Sequence, residues 1–133
     1  MAQSIATREG YGETLVELVK EGHDIMAVEA DLSGSTTTKK LQDYDSSRLV
    51  NVGIAEQNMI GVAAGLSLAG KTVFTGSFAA FGTGRCYDQI RNTVCYASLD
   101  VKVAPTHAGI TVGPDGGSHQ MLEDVSLMRG LPG

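Results

Sequence analysis

Tryptophan is absent from these 133 residues, and three phenylalanines and four tyrosines make up the whole aromatic complement. So few rings leave no repeated stacking surface for single-stranded nucleic acid. Basic side chains are also scarce, with ten lysines and arginines against fifteen acidic residues and a net charge of −5. They are scattered, which argues against neutralisation of a phosphate backbone as the main activity. Cysteine occurs twice, at Cys86 and Cys95. Two are too few for a disulfide framework, and without a Cys-x-x-Cys pair they read as small buried hydrophobes in a reducing compartment. The opening Met1-Ala2-Gln3-Ser4-Ile5-Ala6 lacks the basic and apolar regions of a secretion signal. The longest apolar stretch, Ile60 to Ala69, falls far short of the ~18–20 residues that span a bilayer. A cytoplasmic protein that binds neither nucleic acid nor membrane is expected.

What is present is a globular composition, 42% hydrophobic and 19% charged, with seventeen glycines against three prolines. The length is that of one domain with a core of its own. Short β-branched runs alternate with segments of helical period, the pattern of an α/β layer structure on a parallel sheet. Tyr11, Leu15, Leu18 and Val19 mark one face of a first helix that Gly22 can cap. Strands are predicted at 25–30, 49–52, 72–75 and 101–104, and helices at 54–69, 83–97 and 121–129. Tyr87, Ile90 and Val94 face inward on the third helix. The hydroxyl-rich segment 32–38 is predicted to lie outside the core. The second helix carries Gly61, Ala63, Ala64 and Gly65, so another backbone, within the domain or from a partner, must approach it closely to offset its glycines. After the last helix come Gly130-Leu131-Pro132-Gly133, where a parallel sheet calls for a returning strand. The expectation is a single, C-terminally truncated domain over 1–133, its final strand missing.

Open parallel sheets bind ligands beyond the carboxyl ends of their strands. Four predicted strand ends lead into polar segments: Asp31 to Ser35, Gly53 to Asn58, Gly76 to Phe81, and Thr106 to His119. Glu56, in the first turn of a helix, either complements the helix dipole or faces an apolar cavity as a carboxylate that shares a proton with a ligand nitrogen. Phe78 and Phe81 are core residues or a platform for a ligand ring. His107 and His119 are backbone-bonded turn residues or donors to an oxygen-rich substrate; zinc asks for three or more closely placed ligands, so no metal site is expected. Asp115 begins a plain turn or faces the same substrate. Arg8 and Ser35 are candidate phosphate anchors, or are merely solvated.

The ordered set Ala6-Thr7-Arg8, Ala30-Asp31-Leu32-Ser33-Gly34-Ser35, Asn51-Val52-Gly53-Ile54-Ala55-Glu56-Gln57-Asn58, Ser77-Phe78-Ala79-Ala80-Phe81 and Thr106-His107-Ala108-Gly109 through His119-Gln120 resembles the pyrimidine-binding domain of the transketolase family. It is most similar to the C-terminal subunit of split transketolases. The resemblance covers nearly the whole chain and implies a three-layer α/β sandwich with a mostly parallel sheet. It also implies thiamine diphosphate, shared with a partner chain whose diphosphate domain holds the magnesium. Glu56 matches the glutamate that hydrogen-bonds the aminopyrimidine, Phe78 and Phe81 the aromatic wall against that ring, and Asp31 an acidic residue beside the cofactor. His107, Asp115 and His119 match sugar-contacting residues, with both histidines in catalytic positions. Arg8 and Ser35 match the holders of the sugar phosphate.

The chain departs from close relatives at Pro114, where they usually carry glutamate, and at Gly84, where some have a third aromatic. The Gly-Asp-Gly magnesium motif is absent and is assigned by the resemblance to the partner. The implied activity is transfer of a two-carbon ketol unit between sugar phosphates, by a homo- or hetero-oligomer inactive without that partner. A non-catalytic, oligomerising remnant and a deoxyxylulose-phosphate synthase-like enzyme remain as alternatives. His107, within Thr106-His107-Ala108-Gly109, favours transketolase over the latter.

Overall fold

The computed structural model describes residues 4–133. Four strands form one parallel sheet: β1 (Ile25–Glu29), β2 (Leu49–Asn51), β3 (Thr72–Gly76) and β4 (Val101–Val103), in the order β2-β1-β3-β4. Ile25 pairs with Thr72 and Ala27 with Leu49, so β1 is hydrogen-bonded on both sides. Successive side chains on a strand point to opposite faces, and β1 feeds two cores accordingly. Ile25 and Ala27 join Leu15, Leu41 and Leu49 beneath helices α1 (Thr7–Lys20) and α3 (Lys39–Tyr44). Val28 joins Ala30, Met59, Ile60, Ala63, Val73, Ile90 and Val94 on the other side, beneath helix α4 (Glu56–Leu68) and the coiled segment 80–95. Helices on both sides of a parallel sheet make the expected three-layer sandwich.

The helix ends follow the sequence. Gly22 and Gly70 adopt φ of 98° and 88°, the left-handed region open to glycine. At each, the glycine N–H and the next residue's N–H return to carbonyls of the last turn, Val19 and Leu18 for α1 and Ser67 and Leu66 for α4. This is the glycine-terminated cap that the sequence predicts.

Three elements differ from expectation. Segment 32–38 is not excluded from the core: Ser33–Thr36 forms one helical turn (α2), and Thr36, Thr37 and Thr38 are buried. Their hydroxyls have a buried acceptor, described below. The predicted helix 83–97 starts earlier and is wider, with π-helical stretches Ala80–Arg85 and Ile90–Cys95 around a short α-turn, α5 (Tyr87–Gln89). Thr83 Oγ1 donates to the Ala79 carbonyl and the Cys86 thiol to that of Gly82; these side-chain claims on i−4 carbonyls compete with the regular ladder. Helix α6 (Asp124–Arg129) begins after Met121, which is instead bridged to Gly109 and buried. Of the cysteines, Cys86 is fully buried and Cys95 only half-buried. In α4, Ala63 and Ala64 are core residues, whereas Gly61 and Gly65 face outward with nothing within 4 Å of where a Cβ would lie.

Candidate functional site

The chain passes from β1 to β2 on one side and then crosses to β3 and β4 on the other, so the strand order reverses between β1 and β3. Open α/β sheets form their ligand crevice at such a switch point. A cavity of about 280 Å³ lies there, lined by Asp31 and Leu32 after β1, Ile54 and Glu56 at the head of α4, Phe78, Phe81 and Arg85 after β3, and His119.

Glu56 is 1% exposed. Its Oε1 accepts from Ser77 Oγ at 3.2 Å, and its Oε2 from an Arg85 guanidinium nitrogen at 2.9 Å. The carboxylate therefore enters the apolar cavity as half of an ion pair with Arg85, whose side chain is 46% exposed. Beside it, burial and then the charge of Glu56 push the Cys86 thiol up to about 12, so that thiol stays protonated and inert. The Arg85 guanidinium also lies over the Phe81 ring, 4.3 Å from its centroid. Arg85 was not singled out in the sequence; its place four residues after Phe81 in a helical run is the signal that could have found it.

Phe78 forms a wedge between two histidines, edge-on to His107 at 4.9 Å and to His119 at 5.8 Å; Phe81 meets His119 at 5.1 Å. Asp31 is held at the rim. Asn51 Nδ2 donates to its Oδ1 at 3.0 Å, and the Asn51 amide oxygen accepts from the N–H groups of Asp31 and Gly53. Asp31 and His107 both have left-handed backbones, φ 64° and 65°, a region that aspartate and histidine enter more readily than most residues and that clusters at functional sites.

A second hollow, about 490 Å³, opens on the other side of Phe78 and includes Arg8, Thr106, His107 and Thr111. Arg8 donates to His107 Nε2 at 3.0 Å, and His107 Nδ1 meets Thr106 Oγ1 at 2.9 Å. Burial, then the Arg8 charge, lower the His107 pKa, while Asp115 opposes them. The fold thus gathers Asp31, Glu56, Phe78, Phe81 and His119 into one cavity and Arg8 and His107 into the next. Ser35, half-buried in α2, and Asp115, exposed, line neither. Among the described residues no group of three or more His, Cys, Asp or Glu is arranged to hold a metal.

The sequence reading also passed over Glu29, the last residue of β1, which is fully buried. Thr36 and Thr38 donate to its Oε1 at 2.7 and 2.6 Å, tying segment 32–38 to the sheet. Gly76 passes so close that a Cβ there would lie 1.7 Å from the same oxygen. One acidic residue in the buried run Ile25-Met26-Ala27-Val28-Glu29-Ala30, followed by three consecutive threonines, was the available signal.

The family model for the transketolase pyrimidine-binding domain matches residues 3–133. The chain belongs to the transketolase pyrimidine-binding domain family. A protein of Methanocaldococcus jannaschii assigned as a transketolase C-terminal section is 54% identical over 125 residues, covering 94% of this chain and 40% of that protein. The 6-deoxy-6-sulfo-D-fructose transketolase subunit of a Clostridium species is 44% identical over 126 residues, 95% of this chain and 39% of its own length. Among solved structures, a split-gene transketolase described as an inactive β4 tetramer superposes with a TM-score of 0.82 at 52% identity, covering 98% of this chain and 41% of that one. This transketolase pyrimidine domain thus spans about 40% of the length of those curated relatives.

Proposed function

We propose that this chain supplies the pyrimidine-binding half of a thiamine diphosphate-dependent transketolase site, completed by a partner subunit that carries the diphosphate and magnesium contacts. The observation that carries this reading is Glu56: a buried carboxylate at the wall of an apolar crevice flanked by two phenylalanine rings. The crevice volume, about 280 Å³, lies just below the ~300–1,000 Å³ typical of whole-ligand pockets. It suits one heteroaromatic ring and leaves a charged tail to be held elsewhere. When bound, the cofactor supplies the carbanion chemistry of two-carbon transfer.

The roles of the chain's own residues follow from their contacts. Glu56 Oε2 is pinned by Arg85, so Oε1, with only the neutral Ser77 as partner, is the oxygen that shares a proton with a ring nitrogen. Phe78 and Phe81 exclude water and orient the ring. Asp31, held by Asn51, closes the rim beside it. His107 and His119 direct donors at the sugar and Arg8 holds its phosphate; Asp115 and Ser35, which line neither hollow, are assigned to the same substrate by the family resemblance alone. The small-residue face of α4, with Gly61, Gly65 and the exposed Ile54 and Leu68, is the surface offered to the partner or to a second copy.

The test is reconstitution. Mixed with a transketolase subunit bearing the diphosphate domain, the chain is expected to transfer two-carbon units from a ketose phosphate and not from pyruvate, and Glu56→Ala is expected to abolish transfer. Assembly without transfer supports a non-catalytic module instead, and turnover of pyruvate supports the synthase-like alternative. Calorimetry of the chain alone with thiamine diphosphate and magnesium is expected to show negligible binding; micromolar affinity overturns the shared-site reading.

A further inference from the structure

We propose that the Arg85 guanidinium is a third wall of the crevice, a flat surface laid over Phe81 against which the cofactor's ring packs; this rests on the reading of the crevice as the ring site given above. Arg85 lines the crevice beside Phe78 and Phe81. Its guanidinium carbon stands 4.3 Å from the Phe81 centroid, well inside the ~6 Å reach of a cation–π contact. One guanidinium nitrogen donates to Glu56 Oε2 at 2.9 Å. The backbone is held as well, since Gln57 Nε2 donates to the Arg85 carbonyl at 3.3 Å. Two successive residues at the head of α4 thus grip Arg85 at both ends, and Phe81 lies against its plane.

The adjacent positions offer no such surface. Gly84 has no side chain and nothing within 4 Å of where a Cβ would lie, and Cys86 is fully buried. The π-helical stretch Ala80–Arg85 carries Phe81 and Arg85 on one wide turn, a geometry that recurs at functional sites. A guanidinium is planar, weakly hydrated and stacks on aromatic faces, whereas an ammonium is a compact, strongly hydrated point charge. The ion pair with Glu56 compensates the charge of Arg85, so the ring meets a plane rather than a bare cation. With 46% of its side chain exposed, Arg85 has surface left for a ring to cover. Its two tasks are separable: the charge serves Glu56, and the plane serves the ring.

The experiment is a calorimetric titration of thiamine diphosphate with magnesium into the chain assembled with a subunit bearing the diphosphate domain. The parent is compared with Arg85→Tyr, Arg85→Phe, Arg85→Lys and Arg85→Ala, each first checked for assembly by sedimentation. The tyrosine and phenylalanine variants restore a plane without the charge, and two of them guard against one that fails to assemble. The lysine variant keeps a charge without the plane. Arg85→Tyr and Arg85→Phe are expected to bind within about threefold of the parent, and Arg85→Lys and Arg85→Ala about tenfold more weakly. A role confined to the Glu56 ion pair gives the reverse order, with rescue by lysine and equal loss in the other three, and that result overturns the wall. Parent-like affinity in Arg85→Ala overturns it too, as does equal weakening in all four variants. A parent assembly that binds no thiamine diphosphate overturns the site reading itself, and the wall with it.

Discussion

Glu56 and Glu29 are both buried carboxylates, and their partners give them opposite characters. Glu56 has a guanidinium at 2.9 Å; Arg85→Ala strips that charge partner and leaves a buried carboxylate behind. Because Arg85 is nearly half exposed, the cost is discounted to about 1–2 kcal/mol, readable as a lower denaturant midpoint at neutral pH. Glu29 has no cationic partner, and its pKa is raised above the ordinary 4.5, by burial first, against the lowering effect of hydrogen bonds from Thr38, Thr36 and the Leu32 backbone. A folded state that holds this proton more tightly than the unfolded chain gains stability that is complete below about 4.5 and fades as pH rises through the folded value. Glu29→Gln has no such proton. The stability difference between parent and Glu29→Gln is therefore expected to move steadily in favour of the glutamine form as pH rises above 4.5, measured by urea unfolding. Glu9, Asp24 and Asp45, lowered chiefly by hydrogen bonds from Lys40, Lys71 and Ser47, act the other way but are common to both proteins. Glu56 could be picked out in the sequence because it opens a helix just after a strand. For Glu29 the signal was weaker: one acid in an apolar run, with threonines beyond it whose hydroxyls reach it only once segment 32–38 has folded back.

At the scale of elements, the glycines divide by their surroundings. Gly61 lies mid-helix on the outer face of α4 with open space around it, so Gly61→Ala is expected to stabilise the chain by up to ~1 kcal/mol through helix propensity alone. If that face meets another subunit, the same methyl is expected to weaken association; thermal unfolding and sedimentation on one variant separate the effects. Gly82 is the converse, since a Cβ there would lie 2.9 Å from Cβ of Pro105, and Gly82→Ala is expected to lower the melting temperature. The strands and the capped helices were legible because period and glycine placement are local signals. The π-helical turns of 80–95 were not, because they depend on which carbonyls Thr83 and Cys86 engage once the segment has packed.

For the molecule as a whole, the convergence of strand ends was legible from the alternation of strands and helices, and it brought most of the anticipated residues to one edge. The division into two hollows by Phe78 was not, since it depends on the wedge of that ring between two histidines contributed by a single loop. Leu68, the last residue of α4, and Ile54, just before the helix, are 75% and 77% exposed, and Leu68 lies one turn beyond Gly65 on the small-residue face. Sedimentation is expected to show association that grows with concentration, and strictly monomeric behaviour over a wide range counts against a partner on this face.

Gly76 and Glu29 occupy what amounts to one side chain's worth of room between adjacent strands. Neither position can drift by itself: any larger residue at 76 demands a shorter acid at 29, and a shorter acid lets go of the threonines that fasten the loop behind Asp31 and Ser35. Among natural variants of this chain the two sites should therefore change in concert or stay fixed, and a lone substitution at 76 should be felt first as a loosening of that loop.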